Sequence, residues 1–158
     1  MAIGIVGMLD EREEGLRLLK DRIEARGHKT LLIDISIGTG AIESSLKADI
    51  TCDDLARSGG TTIHEVREML AKERDKATSA MAEGLDKTLR DLQQTGKLQG
   101  VIGVGGMTGT FITLSAMKGL PFGIPKLQIS SVAAMPAYAK KLAEYFGVRD
   151  ITVMHSVV

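Results

Sequence analysis

Tryptophan is absent from this 158-residue chain, and only three Phe and two Tyr are present. Its core must therefore be built from Ile, Val, Leu, Met and Ala. Cys52 is the only cysteine, so no intrachain disulfide can form. A lone cysteine suits a reducing compartment, and a cytoplasmic location is the expectation. Charge of either sign is lacking in excess: 20 Lys and Arg balance 20 Asp and Glu. That argues against a nucleic-acid partner, which calls for a basic surplus, and against docking on an anionic membrane. No apolar run approaches the 18 residues of a membrane span. The start, Met1-Ala2-Ile3-Gly4, carries no basic leader pattern. The length fits one domain over residues 1–158. Such a domain buries about 70% of the surface its unfolded chain exposes, so it needs no staple.

Glycine is abundant, at 18 residues, above the usual share of about 7%. Much of it follows apolar runs. Five such runs stand out: Ala2–Leu9, Lys29–Ile37, Gly100–Gly105, Ile124–Val132 and Ile151–Val158. Most are continuous and rich in Ile and Val, as in parallel strands buried on both faces. Helical segments lie between them. Glu11–Arg26 sets Leu16, Leu19 and Ile23 on one face, with Asp10 as N-cap, Glu13 completing a capping box and Gly27 as the stop. Ile63–Thr95 is too long for one ordinary helix, and a break is expected near Arg74–Thr78. Its second part carries the core stripe Met81, Leu85, Leu89 and Leu92. Thr108–Leu120 and Pro136–Gly147 supply two more helices. The polar stretch Gly38–Thr62 reads as a loop with a short helix at Asp53–Arg57. Alternation of this kind predicts a doubly wound, Rossmann-like α/β fold: a five-stranded parallel sheet with helices on both faces.

The most informative segment is Gly103-Val104-Gly105-Gly106-Met107-Thr108-Gly109-Thr110. It leaves a strand and opens a helix. Unpaired N–H groups and the positive end of the helix dipole converge at such a turn, and phosphate is the usual guest. It matches neither the dinucleotide fingerprint, whose last glycine falls one residue earlier, nor the lysine-bearing phosphate loop. A tight turn with close helix–strand packing is the alternative. Gly7 and Asp10 lie at the exit of the first run and Asp34 interrupts the second, where a carboxylate at a strand end can accept from ribose hydroxyls. Ser130 and Ser131 lie at the ligand-facing end of the fourth run. Lys126 lies at its other end, where it pairs with a phosphate or, in the plainer reading, reaches solvent. His28, His64 and His155 have no metal-ligand spacing, and no catalytic residue can be named.

These residues resemble a known family. The stretches Gly7-Met8-Leu9-Asp10, Leu32-Ile33-Asp34, Gly100 to Thr110, Leu120-Pro121-Phe122-Gly123-Ile124-Pro125-Lys126-Leu127 and Asp150 to Val158 run in the order of the ATP-binding domain family of the tomato mosaic virus resistance protein and its uncharacterised microbial relatives. The resemblance implies a Rossmann-like domain binding ATP with magnesium. It implies pocket roles for Gly7, Asp10, Asp34, Gly105, Gly106, Gly109 and Thr110. In longer relatives a barrel-type domain similar to a phosphoenolpyruvate hydrolase follows. Two departures are visible: Glu11-Arg12 stand where the family has Thr-Lys, and Met107-Thr108 where it has Ser-Gly.

The resulting expectation is a nucleotide-binding domain or subunit with ATP, with or without Mg2+, as ligand. Gly103, Gly105, Gly106, Thr108, Gly109, Thr110, Ser130 and Ser131 would line its site with Gly7, Asp10 and Asp34. A subunit of an ATP-dependent or phosphoenolpyruvate-hydrolase-like enzyme, and an interaction domain with a vestigial pocket, are the alternatives. The apolar finish at Val157-Val158 suggests a covering surface, so a homo-oligomer or a separate barrel-type partner subunit is expected.

Overall fold

The computed structural model describes residues 1–145 and 149–156. Its strands are β1 (Ala2–Gly7), β2 (Thr30–Asp34), β3 (Leu98–Gly105), β4 (Lys126–Ser130) and β5 (Ile151–His155). They form one parallel sheet in the order β2-β1-β3-β4-β5. The helices are α1 (Leu9–Glu24), α2 (Cys52–Ser58), α3 (Ile63–Lys72), α4 (Arg74–Gln94), α5 (Met107–Met117) and α6 (Pro136–Leu142). None is long and apolar enough to cross a membrane. The doubly wound architecture is as the alternating pattern predicts. The expected helix stop at Gly147 and the final Val157-Val158 lie outside the described residues.

Chain direction divides the helices between the two faces. The β1-to-β2 crossover runs one way along the sheet and the later crossovers run the other, so right-handed connections put α1 alone on its face. There Leu16 packs with Ile5, Leu9 and Leu32. The opposite face is larger. Val6, Ile33 and Val101 meet Leu55 of α2, Met81, Leu85 and Leu89 of α4 and Ile112 of α5. Gly84 lets α2 and α4 touch, because a Cβ there would stand 1.9 Å from the Leu55 carbonyl oxygen.

The long helical stretch breaks at Glu73, whose φ of −143° leaves the helical region. Two capping boxes set the helix starts before it. The Thr51 hydroxyl accepts from the Asp54 N–H, and the Asp54 carboxylate accepts from the Thr51 N–H; Thr62 and Glu65 repeat the pattern. The Thr51 hydroxyl and N–H together hold the Asp54 carboxyl at about 2. Because that value lies below the ordinary one, the cap stabilises fully above about pH 4 and is lost as pH falls toward 2. Thr51→Ala is expected to cost about 1 kcal/mol in urea unfolding at pH 7, and less at pH 2.

The expected capping box at α1 does not form. Met8 is the N-cap, with no side-chain hydrogen bond, and Asp10 lies inside the first turn. Glu13 turns instead to Ser45, accepting from its N–H at 3.0 Å and its hydroxyl at 2.8 Å. The Ser45 hydroxyl and the Arg17 guanidinium hold the Glu13 carboxyl at about 2. This tie between α1 and the loop of residues 35–51 is therefore lost only as pH falls below the ordinary carboxylate range.

Candidate functional site

The carboxyl ends of β1 and β3 are neighbours, but the chain leaves them in opposite senses: α1 returns over one face and α5 over the other. This is the switch point at which open α/β sheets form a crevice. Its walls are the first turn of α1 and the N-terminus of α5.

Gly106 is the N-cap of α5, with φ −79° and no side-chain cap. The N–H groups of Met107, Thr108 and Gly109 meet no acceptor among the described residues, so they face the crevice as free donors. The space over Gly106 is open. A Cβ placed on it would come within 3.4 Å only of Nη2 of Arg12, with the Ser131 hydroxyl at 3.8 Å. Arg12 reaches this point because its own backbone leaves the helix, at φ −138° and ψ 30°, kinking α1. Its Nε is buried without a partner.

Asp10 stands on the same turn. Its Oδ2 accepts from the Gly40 N–H at 3.1 Å, and its Oδ1 is buried without a partner. The loop is pressed against this turn: a Cβ on Gly40 would lie 2.0 Å from the Asp10 carbonyl oxygen, and the Ile42 N–H donates to that oxygen at 2.9 Å. A buried unpaired donor and a buried unpaired acceptor, both from the start of α1, are each costly to leave unmade.

Asp34 ends β2 beside them. Its Oδ1 accepts from the Leu9 N–H, the Ser36 N–H and the Ser36 hydroxyl at 3.2, 2.9 and 2.5 Å. Its Oδ2 has no protein donor among the described residues. Beyond it opens a cavity of about 350 Å3, walled by Leu9, Ile42, Leu46, Thr51 and Arg67. Cys52 adjoins this cavity but is no nucleophile: burial pushes its thiol up to about 11, and Asp34 and Asp53 push the same way.

The residues singled out by sequence thus divide. Gly106, Gly109, Ser131, Asp10 and Asp34 border the crevice. Gly105 serves close packing, since a Cβ there would be 2.9 Å from the backbone of Gly109 and Thr110. Gly103 makes room for Gln128 and Thr113, and Gly7 for Leu16. Thr110 and Ser130 are fully buried and bond each other at 2.8 Å, bracing the turn from behind. Thr108 is nearly buried and accepts from Arg74 at 3.5 Å. Gly40 carried no sequence signal beyond its place in a polar loop, and Ser36 none beyond its place near the end of the second apolar run. Arg12 carried one, as the departure from Thr-Lys. Among the described residues no three His, Cys, Asp or Glu form a metal-binding group.

Residues 1–158 match throughout the N-terminal domain of an uncharacterised protein family, UPF0261. A UPF0261 protein of Clostridium tetani is 32% identical over 154 residues, 98% of this chain and 36% of that protein. One of Rhizobium meliloti is 31% identical over 98% of this chain and 35% of its own length. The ToMV resistance protein Tm-1(GCR237) of Solanum lycopersicum is 28% identical over 97% of this chain and 21% of its own. The chain spans about a third of the bacterial relatives it matches. It belongs to the UPF0261 family, in the part that forms the family's N-terminal domain.

Proposed function

We propose that the crevice binds a nucleotide, ATP, with its phosphates over Gly106 and the free N–H groups of Met107, Thr108 and Gly109. The single observation that carries this reading is Arg12: a guanidinium with a buried, unpaired Nε, held by a helix kink against the open face of Gly106. Backbone donors, the α5 dipole and an arginine fork together suit a phosphate chain.

The neighbouring groups fit the rest of the ligand. The unclaimed Oδ2 of Asp34 can accept from a ribose hydroxyl. The cavity beyond it can take a base between Ile42 and Leu46. A magnesium ion would be held mainly by phosphate oxygens and water, with Asp10 Oδ1 as the one protein ligand at hand. The reading is one of binding, with no reaction assigned to it.

Calorimetric titration with ATP, GTP and NAD, each with and without magnesium, tests it. ATP at 100 times its dissociation constant should stabilise the fold by about 2.7 kcal/mol. No heat and no stabilisation at millimolar nucleotide would overturn the reading.

A further inference from the structure

The two faces of the sheet are unequally covered. In β4 the burial alternates: Lys126, Gln128 and Ser130 are buried, whereas Leu127 and Ile129 are half-buried. The same alternation runs through β3, where Val101, Gly103 and Gly105 are buried and Ile102 and Val104 are half-buried. In β5 Thr152 and Met154 are exposed, Met154 by 52%. Register puts Ile102, Leu127 and Thr152 in one row and Val104, Ile129 and Met154 in the next. All lie on the α1 face, where α1 packs chiefly on β1 and β2 and Val104 of β3 borders its cluster. Beyond Val104 no described helix packs on this face of β3–β5. A cavity of about 490 Å3, floored by Ile3, Gly100, Ile102, Leu127 and Thr152, occupies the uncovered area.

This is the reverse of a solvated sheet face. The polar side chains of β4 point into the protein and its aliphatic ones point out. Parallel strands are found with both faces covered, and a contiguous apolar patch marks a contact surface. The patch is small. Three strands about 4.8 Å apart and five residues of about 3.3 Å each present about 240 Å2 of sheet. A second copy of this chain would need about 800 Å2 per partner for a stable interface. One helix, about 10 Å across, fits the strip beside α1. The bacterial relatives carry roughly twice this chain's length outside the matched domain.

We infer that the open face of β3–β5 is the seat of an apolar-faced helix belonging to the region that family members carry outside the matched domain. The helix lies alongside α1 and seals Ile102, Leu127, Ile129 and Met154 from water. The inference is independent of nucleotide binding.

Cysteine labelling tests it. Ile129→Cys, at the centre of the face, and Thr152→Cys, at its exposed rim, are made in this chain, where Cys52 is buried and slow to react. The aligned residues are changed to Cys in the full-length Clostridium tetani protein. Maleimide uptake is read peptide by peptide by mass spectrometry. Rapid labelling in this chain and at least tenfold slower labelling in the full-length protein, unchanged on dilution, is the expected result. Thr152→Cys keeps the test valid if the central variant does not fold. Equal rates in the two proteins would overturn the inference. So would protection in this chain that disappears on dilution, because the occupant would then be a second copy.

Discussion

Gly106→Val is expected to fold normally and to lose its response to ATP. The backbone there has φ −79° and ψ −149°, so no positive φ stands against a side chain. The nearest atom to a Cβ is the flexible end of Arg12, at 3.4 Å, which can move aside. The branched side chain would instead occupy the space over the free N–H groups and hold an anion off them. Affinity should fall at least tenfold, about 1.4 kcal/mol, while the ligand-free melting temperature stays within about 2 °C of wild type. Gly105→Ala should behave in the opposite way. Its Cβ would meet the backbone of Gly109 and Thr110 at 2.9 Å, and backbone cannot swing away as a side-chain tip can. A stability loss of about 1–3 kcal/mol is expected, with or without nucleotide. The two neighbouring glycines therefore separate the cradle from the packing beneath it. An unchanged ATP response in Gly106→Val would mean that the turn serves packing alone.

Asp150→Ala should be among the most destabilising single changes in the chain. Lys126 begins β4 with its side chain only 1% exposed, and its ammonium donates to Asp150 at 2.7 Å and to the Pro121 carbonyl at 2.9 Å. Removing the carboxylate leaves a buried ammonium with one neutral acceptor. Breaking such a pair costs about 3–5 kcal/mol. Asp150 is itself 30% exposed, and water can partly replace it, so about 3 kcal/mol is expected. For a domain of this size that lowers the melting temperature by roughly 6–12 °C. Lys126→Met, which removes the charge that needs a partner, should cost less than Asp150→Ala. Acid acts on the same pair. Lys126 holds the Asp150 carboxyl below its ordinary value of 3.8, so the contribution is complete above that value and is lost as pH falls below it. Thermal melts of the wild type and both variants from pH 7 to pH 2 would show the curves converging in acid.

The strands were legible because most lie in continuous runs rich in Ile, Val and Leu, and parallel strands buried in a sheet leave that trace. The break before α4 falls at Glu73, just ahead of the expected stretch Arg74–Thr78. The caps were misread at α1, although Thr51-x-x-Asp54 and Thr62-x-x-Glu65 carry the spacing openly. Asp10 offered the right side chain two residues too late, because Leu9 already lies in the helix and takes its acceptor from Asp34. The crevice was legible only in part. The glycine turn announced itself, but which glycine serves space and which serves packing depends on distances between elements far apart in sequence. Arg12 acts through a backbone kink that no local pattern encodes. The sidedness of β4 was also hidden. Lys-Leu-Gln-Ile-Ser alternates in the ordinary way, and only the surrounding helices determine that its polar side is the one enclosed.

That enclosure has a consequence for how the chain threads itself. A slip of one residue in β4 would exchange its two sides, pulling Lys126 away from Asp150 at one end and Ser130 away from Thr110 at the other. Misaligned pairings are a hazard of parallel sheets, whose contacts join distant parts of the chain and form slowly. The core is aliphatic nearly throughout, and Ile, Val and Leu do little to tell one strand alignment from the next. The two polar ties work as alignment pins, and a β4 that slides out of place loses both together.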